Sequence, residues 1–414
     1  MRILIITQYF WPENFRINEV SEELAKLGHK VYILTGYPNY PKGEIYSEFK
    51  REHKKFSQYK GTEIIRVPIL SRKKNNFNLA LNYISFLVSS IFIGYFKLKG
   101  KEFDIIFTCQ LSPVTIGITS AFFSKIRNIP QIFWVQDLWP DTLVALNILN
   151  KNWQINLFKI LVNWIYSRCD VILAQSKNIL KEIKNYPSVK DNISYFPTWS
   201  ESNLFLKISP AAKEIKPKKI FTIIFAGNIG EAQDFPNIIK AVQNLILNNV
   251  INFRIILIGD GSKKEWVKSE VKKLDLEKFF EFYNSYPLEK MPSFFRHADA
   301  LLVSLLNKKV FNMTIPGKIQ FYLSSGVPII GMICGEGAEV IKKSKGGLVC
   351  DSGDYKKLSK IISKMINLDK STLKKMGENG KKYASSEFSK IKLIIKLNKI
   401  LMNQFNKKFK TKNK

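Results

Sequence analysis

A run of apolar and β-branched residues, Thr222 to Phe225, breaks at Gly227 and Gly230 and gives way to a helical pattern at Asp234. The order strand, glycine-punctuated loop, helix start confines such a chain to an α/β fold. A junction of this kind can turn backbone N–H groups and a positive helix end toward a phosphate. It lies near the middle of 414 residues, behind a polar connector with Lys and Pro at 207–219. The residues on each side therefore read as one α/β unit apiece, each long enough for its own core.

The net charge of +31 implies attraction to something anionic: nucleic acid, a lipid headgroup surface or a phosphorylated substrate. A Lys-, Ile- and Asn-rich composition from an AT-biased genome accounts for the same number. Cys109, Cys169, Cys334 and Cys350 form no CxxC pair, and with three histidines a zinc site is not expected. Scattered thiols in apolar contexts suit a reducing, cytosolic setting. The start, MRILIITQYF, has too short an apolar run for a signal peptide and reads as a first strand.

In the first half, Ile3–Thr7 predicts a strand, the loop QYFWPEN follows, and a helix runs to about Leu27 with Gly28 as its stop. His29–Thr35 is the next strand, so a parallel, doubly wound sheet is expected. The first loop has no GxGxxG, which weakens a dinucleotide reading. Its rings and Glu13 suit a carbohydrate or other polar acceptor, because rings stack on sugars and a carboxylate accepts a hydroxyl proton. Phe10 and Trp11 fit equally well as cover for the sheet edge.

GYPNYPKGEIY, 36–46, is an irregular loop. The stretch 79–96 contains no charged residue. It reads as a buried helix, as a transmembrane helix, or as a helix in the membrane interface flanked by Arg72, Lys73, Lys74, Lys97, Lys99 and Lys101. Strand Gln131–Val135 then delivers the segment QDLWPD. A carboxylate just past the C-terminal end of a parallel strand sits where doubly wound folds do ligand chemistry, which makes Asp137 the first catalytic candidate. The alternative is that Asp137 or Asp141 caps the next helix.

In the second half, strands at 253–258, 279–282, 298–304 and 328–331 alternate with helical segments. Pro316 suits a helix first turn and Gly326 its end. Lys318 stands in that first turn, where a cation adds to the positive helix end and suits a diphosphate; a solvated surface lysine is the plainer reading. GEGAE opens a further helix, with Glu336 and Glu339 as candidates for ribose hydroxyls or as N-terminal acids. From 355 to about 404 the pattern is helical, and the basic tail from 407 reads as disordered.

The segments QYFWPENFRIN, LTGYPNYPKG, QDLWPD, FAGNIGEAQ, GDG and TIPGKIQFYLSSGVPI, in that order, resemble family 4 glycosyltransferases of the bacterial O-antigen and capsule type, and within them the WbuB-like group. The resemblance runs from residue 2 to about 400. It implies a GT-B fold, with two doubly wound Rossmann-like domains facing across a cleft. The N-terminal, acceptor-binding domain would be 1–200, the linker 201–219 and the nucleotide-sugar domain 220–385. A helix at 386–406 would pack back on the first domain.

It further implies a retaining transferase moving a sugar such as N-acetyl-L-fucosamine from a nucleoside-diphosphate donor, UDP-linked by expectation. The acceptor would be a saccharide on a polyprenyl diphosphate carrier at the cytoplasmic face of the inner membrane. Neither a cofactor nor a metal is implied. The donor residues would be Gly227, Asn228, Gly230 and Lys318 for the pyrophosphate, with Gln233, Gly259, Pro316 and Gly317 beside them. Glu336 and Glu339 would serve the ribose or sugar hydroxyls. Asp137 would accept a proton or steady an oxocarbenium-like transition state, and Glu13 would contact the acceptor.

This chain departs from the wider family. Asn228 and Gln233 stand near the places of a pyrophosphate-binding Arg and Lys, and Met313 and Phe321 stand where a Glu-x7-Glu pair is usual. Two other classes remain: a sugar-nucleotide epimerase on the same fold, which the scarcity of histidine disfavours, and a nucleic-acid-binding protein, for which no motif is present.

Overall fold

The computed structural model describes residues 1–72, 76–145, 147–207 and 209–412. Lys73 and Lys74, expected to flank the apolar helix, lie outside the described residues, as do 413–414 of the basic tail. The chain divides into two compact units, 1–197 with 391–414, and 198–390.

The first unit is built on an eight-stranded sheet in the order β3-β4-β2-β1-β5-β6-β7-β8. Its strands are β1 (Arg2–Ile6), β2 (Lys30–Gly36), β3 (Gln58–Tyr59), β4 (Thr62–Val67), β5 (Ile105–Gln110), β6 (Gln131–Val135), β7 (Val171–Ala174) and β8 (Ile193–Tyr195). All pairs are parallel except the short edge pair β3–β4. Every residue of β5 and β6 is buried, as expected for strands covered by helices on both faces. β1 pairs with both β2 and β5, so the strand order reverses there and the loops after β1 and β5 diverge to open a crevice.

The second unit holds a fully parallel six-stranded sheet in the order β11-β10-β9-β12-β13-β14. Its strands are β9 (Phe221–Ala226), β10 (Phe253–Ile258), β11 (Phe280–Tyr283), β12 (Ala300–Ser304), β13 (Ile329–Met332) and β14 (Gly347–Cys350). Here the order reverses between β9 and β12. Alternate strand residues feed two cores, one on each face: Ile223 and Phe225 enter one, Ile224 and Ala226 the other. The stretch read as a connector packs on this unit: Ala212 and Ile215 are buried in the second of those cores, and the Ala212 N–H donates to Ser293 O at 3.0 Å.

The region from 355 onward resolves into helices Tyr355–Ile366, Lys370–Glu387 and Lys390–Lys412, the first two capped by the side chains of Asp354 and Asp369. The last helix buries Leu393, Ile394, Leu397 and Leu401, and Asn398 Oδ1 meets His29 Nε2 at 2.7 Å in the first unit. It continues to Lys412, so the tail from 407 is helical rather than disordered as far as it is described. Extending an existing helix is far easier than nucleating one, which carries the lysines along.

Helix Asn76–Lys97 corrects the buried-helix reading. Its span Phe77–Lys97 is long and apolar enough to cross a membrane, by length and composition only, yet just 28% of an apolar 18-residue window within it is buried. What it turns inward is largely polar: Asn82, Ser89 and Ser90 are buried, together with Phe86 and Gly94.

Candidate functional site

In the second unit the chain leaves β9 at Ala226 and turns on Gly227, whose φ of +127° strains any side chain. A Cβ there would also sit 2.7 Å from Lys318 Cε. The glycine thus leaves the space that the lysine stem fills. The turn is pinned from the neighbouring strand end. Gly227 N donates to Ile258 O at 2.9 Å and Ile229 N to Asp260 O at 2.8 Å. Gly259 (φ +150°) presses its backbone so close that a Cβ would lie 2.0 Å from Gly227 O.

Asn228 is exposed at the tip of this loop. Gly230 N donates to Gln233 Oε1 at 3.0 Å, and Gln233 O accepts from Ser304 Oγ at 2.6 Å. The Gln233 side chain therefore shapes the loop. Helix Phe235–Leu247 follows, and the turn that leads into it is tied to the end of β12 by that Ser304 contact.

Helix Gly317–Ser325 brings Lys318 to this turn with Pro316 as its N-cap, one place earlier than the first-turn position expected. Lys318 Nζ lies 3.5 Å above the centroid of the Phe225 ring. It is sealed from solvent and has no hydrogen-bond partner. Burial pushes its amine down to about 7. A buried ammonium without a counter-charge is costly, so the geometry is that of a cation waiting for an anion. The surface-lysine reading does not survive this placement.

The helix Gly335–Ser344 begins alongside, with Gly337 packed directly on Pro316 and Ile319. Glu336 is buried in its first turn, whereas Glu339 faces solvent and pairs with Lys342 and Lys343 at 3.6 and 3.9 Å. The second unit thus gathers Gly227, Asn228, Gly230, Gln233, Gly259, Pro316, Gly317, Lys318 and Glu336 around one end of its sheet. Glu339 stands apart on the outer face of its helix.

In the first unit Asp137 follows β6 directly. Its Oδ1 accepts from Thr142 Oγ1 at 2.5 Å and its Oδ2 from Trp139 Nε1 at 3.0 Å. These are side-chain donors, not the backbone N–H groups of a helix start. Burial raises the carboxyl above its ordinary range, against the pull of Thr142, Trp139 and Ser112. Gln110 Nε2, at the end of β5, donates to Asp137 O at 2.8 Å and fixes the loop. Tyr83 OH meets Ser112 Oγ at 3.2 Å, and the Tyr83 ring lies 6.2 Å from that of Trp139.

Glu13 is buried in the loop after β1. One oxygen accepts from Phe10 N at 3.1 Å, the other from Asn39 N at 2.8 Å and Tyr40 N at 2.7 Å. Burial pushes its carboxyl up to about 7, while the three amides and nearby Arg66 pull it down. Its observed work is to tie the loop after β1 to the loop after β2. That tie stacks Tyr9, Phe15 and Tyr40 with ring centroids 5.2 to 5.7 Å apart, and sets Arg72 5.6 Å from the Tyr40 ring.

Around this rim several buried polar atoms lack a partner: Gln8 Oε1, Tyr9 OH, Asn39 Oδ1, Gln110 Oε1 and Gln136 Nε2. They lie at or just past the C-terminal ends of β1, β2, β5 and β6, the strands that meet at and flank the reversal between β1 and β5. Gathered at one rim, these atoms can take a polar ligand or ordered water as partner. Tyr9 falls within QYFWPEN, whose rings suit a sugar, and Tyr40 within 36–46, which reads only as an irregular loop. Tyr83, Ser112 and Gln110 had no signal, because they arrive from a helix and from a strand end. Among the described residues no three His, Cys, Asp or Glu side chains are grouped to hold a metal ion.

The model of Glycosyltransferase Family 4 matches residues 15–199, and that of Glycosyl transferases group 1 matches residues 209–383. WcaI of Escherichia coli K12, assigned to colanic acid biosynthesis as a glycosyl transferase, is 23% identical over 345 residues, which cover 79% of this chain and 82% of WcaI. Among solved structures, a glycosyltransferase of Rickettsia africae superposes with a TM-score of 0.71 at 15% identity, covering 97% of this chain and 98% of its own. HepE of Anabaena, solved with UDP and glucose, superposes at 0.67 and 12% identity, covering 97% and 99%.

Proposed function

Given a chain that is a glycosyltransferase of GT-B fold, we propose that its second unit grips the diphosphate of an activated sugar at the Gly227 turn and the start of helix Gly317–Ser325, while its first unit takes the acceptor beside Asp137. The observation that carries this reading is the buried, unpartnered amine of Lys318 beneath a glycine turn. In glycosyl transfer the bond from the anomeric carbon to the phosphate oxygen breaks, and a bond to the acceptor oxygen forms. Charge grows on the departing nucleoside diphosphate. A fixed cation, loop N–H groups and a helix start lower that barrier without rearranging when the bond breaks. Binding the diphosphate gives Lys318 the counter-charge it lacks.

Asp137 accepts the acceptor's hydroxyl proton or steadies the oxocarbenium-like transition state; its raised carboxyl suits the first role. The unsatisfied atoms around it suit a hydroxyl-rich saccharide. Glu13 serves the acceptor indirectly, by holding Tyr9 and Tyr40 in place. Glu336 is the candidate for the ribose.

The finer reading is a UDP-linked N-acetylated deoxyhexosamine, such as N-acetyl-L-fucosamine, moved with retention to a lipid-linked saccharide of O-antigen or capsule synthesis, with no metal. The relationship to WcaI supports a role in polysaccharide assembly, and UDP in HepE supports the nucleotide. The enzyme would work at the cytoplasmic face of the inner membrane. A panel of UDP-, GDP- and dTDP-sugars against a lipid-linked N-acetylhexosamine tests it. Release of UDP that depends on the acceptor is expected. Conversion of the donor sugar without any acceptor would instead identify an epimerase.

A further inference from the structure

Two helices of the first unit present apolar stripes to the outside. On helix Asn76–Lys97, Phe77, Ile84, Val88, Phe92 and Phe96 are exposed, from 49% to 71%. The polar side chains point the other way. Asn82 Oδ1 accepts from Gln8 Nε2 at 2.7 Å, its Nδ2 donates to Leu70 O at 2.6 Å, and Ser90 Oγ meets Thr119 Oγ1 at 2.8 Å. A helix in water does the reverse. On helix Asn152–Ser167, Trp153, Leu157, Ile160 and Trp164 recur at steps of four, three and four, which places them on one line, and they are 39% to 67% exposed.

The two helices flank a third, Ile116–Arg127. Ser90 meets Thr119 on one side, and on the other Gly117 packs so tightly that a Cβ would fall 2.3 Å from Ile165. Beside Trp164 an open furrow of about 1260 Å3 runs along helix Ile116–Arg127 to the last helix; Phe122, Arg168 and Lys407 line it, and so do Asp170 and Asp191. The three helices contain no Asp or Glu. Lys125, Lys151 and Lys159 stand exposed on or beside them.

We infer that helices Asn76–Lys97 and Asn152–Ser167 together form a docking face for an anionic lipid bilayer. Aromatic and aliphatic side chains enter the acyl boundary and lysines meet the headgroups. The face is continuous with the catalytic loop: the Trp139 ring, two residues beyond Asp137, lies 6.2 Å from Tyr83 of one helix and 5.6 Å from Phe158 of the other. A bilayer on this face would hold a lipid-borne acceptor close to the loop that carries Asp137, which rests on the reading of Asp137 given above.

The test is flotation of the full chain with vesicles of phosphatidylcholine alone and with phosphatidylglycerol mixed in. The parent should float with the second kind and be released by salt. The double variant Trp153→Glu, Ile160→Glu and the single variant Phe92→Glu should each lose at least about tenfold in partitioning with unchanged circular dichroism, since large apolar side chains dominate such binding. Transfer to a water-soluble acceptor should be unaffected, while transfer to a vesicle-borne acceptor falls. Flotation of the variants equal to that of the parent would overturn the inference. So would absence of parent binding to both vesicles, or a solution dimer that the same variants split. Failure of transfer to the soluble acceptor as well would count against the function itself.

Discussion

Lys318 and Asp137 are the residues on which the proposed chemistry turns, and each has been taken out of its ordinary state by burial. For Asp137→Asn, turnover should fall about 100-fold, the usual scale for losing an acid–base group, with UDP binding kept. Steady-state kinetics and calorimetry on the same preparation would check both. For Lys318 the pH dependence follows from burial. Its folded value, about 7, lies below the unfolded 10.5. Between those limits the unfolded chain holds a proton that the folded one has released. The destabilisation is therefore full below pH 7 and fades as pH rises toward 10.5. Lys318→Met should raise the melting temperature of the ligand-free protein at pH 6 and raise it far less at pH 10. In the parent, UDP binding at pH 8 should take up a proton, seen as a heat that changes with buffer, and should weaken as pH rises above 7. The variant should show neither effect.

At the scale of elements, the Gly227 turn is a strand end clamped by its neighbour. Gly259→Ala places a methyl carbon 2.0 Å from Gly227 O, so the two loops must separate. A loss of about 2 kcal/mol or more in chemical denaturation is expected, together with loss of the thermal shift given by UDP. Glu13→Gln leaves one carbonyl oxygen facing three amides and turns an NH2 toward at least one of them. A loss of about 2 kcal/mol is expected, with KM for the acceptor rising as Tyr9 and Tyr40 loosen.

The elements were largely legible where an apolar run ended on a marker: β6 and the QD that follows it, β9 and its glycines, helix Gly317–Ser325 and Gly326. β14 was missed because four residues between a glycine and an aspartate give no periodicity to read. Glu13 was read as facing an acceptor, and nothing local told that the loop at 36–41 folds back onto it. The apolar stretch at 79–96 was visible, but the side it turns outward depends on what Gln8, Leu70 and Thr119 offer it from elsewhere in the chain.

For the whole molecule, the two family models and the two sheets agree on the division of the chain, and each half runs through the same strand–helix alternation. Turnover should be unchanged by excess chelator, since the cation proposed to meet the diphosphate is a side chain. Removing residues 391–414 strips Leu393, Ile394, Leu397 and Leu401 from the first unit's core. Each is worth about 2 kcal/mol, and together they rival the stability of a domain. Two separated unfolding transitions in calorimetry, only the lower one moved by the truncation, would be the expected trace.

Helix Lys390–Lys412 belongs to the first unit, although the ribosome makes it only after the whole of the second. The later part of the protein can thus mature while the earlier part still waits for its missing piece. During synthesis, the groove that this helix fills is open, and the half-made enzyme carries an exposed greasy seam. Chaperone contact should therefore concentrate on the portion translated first, reversing the usual order in which N-terminal domains are finished early.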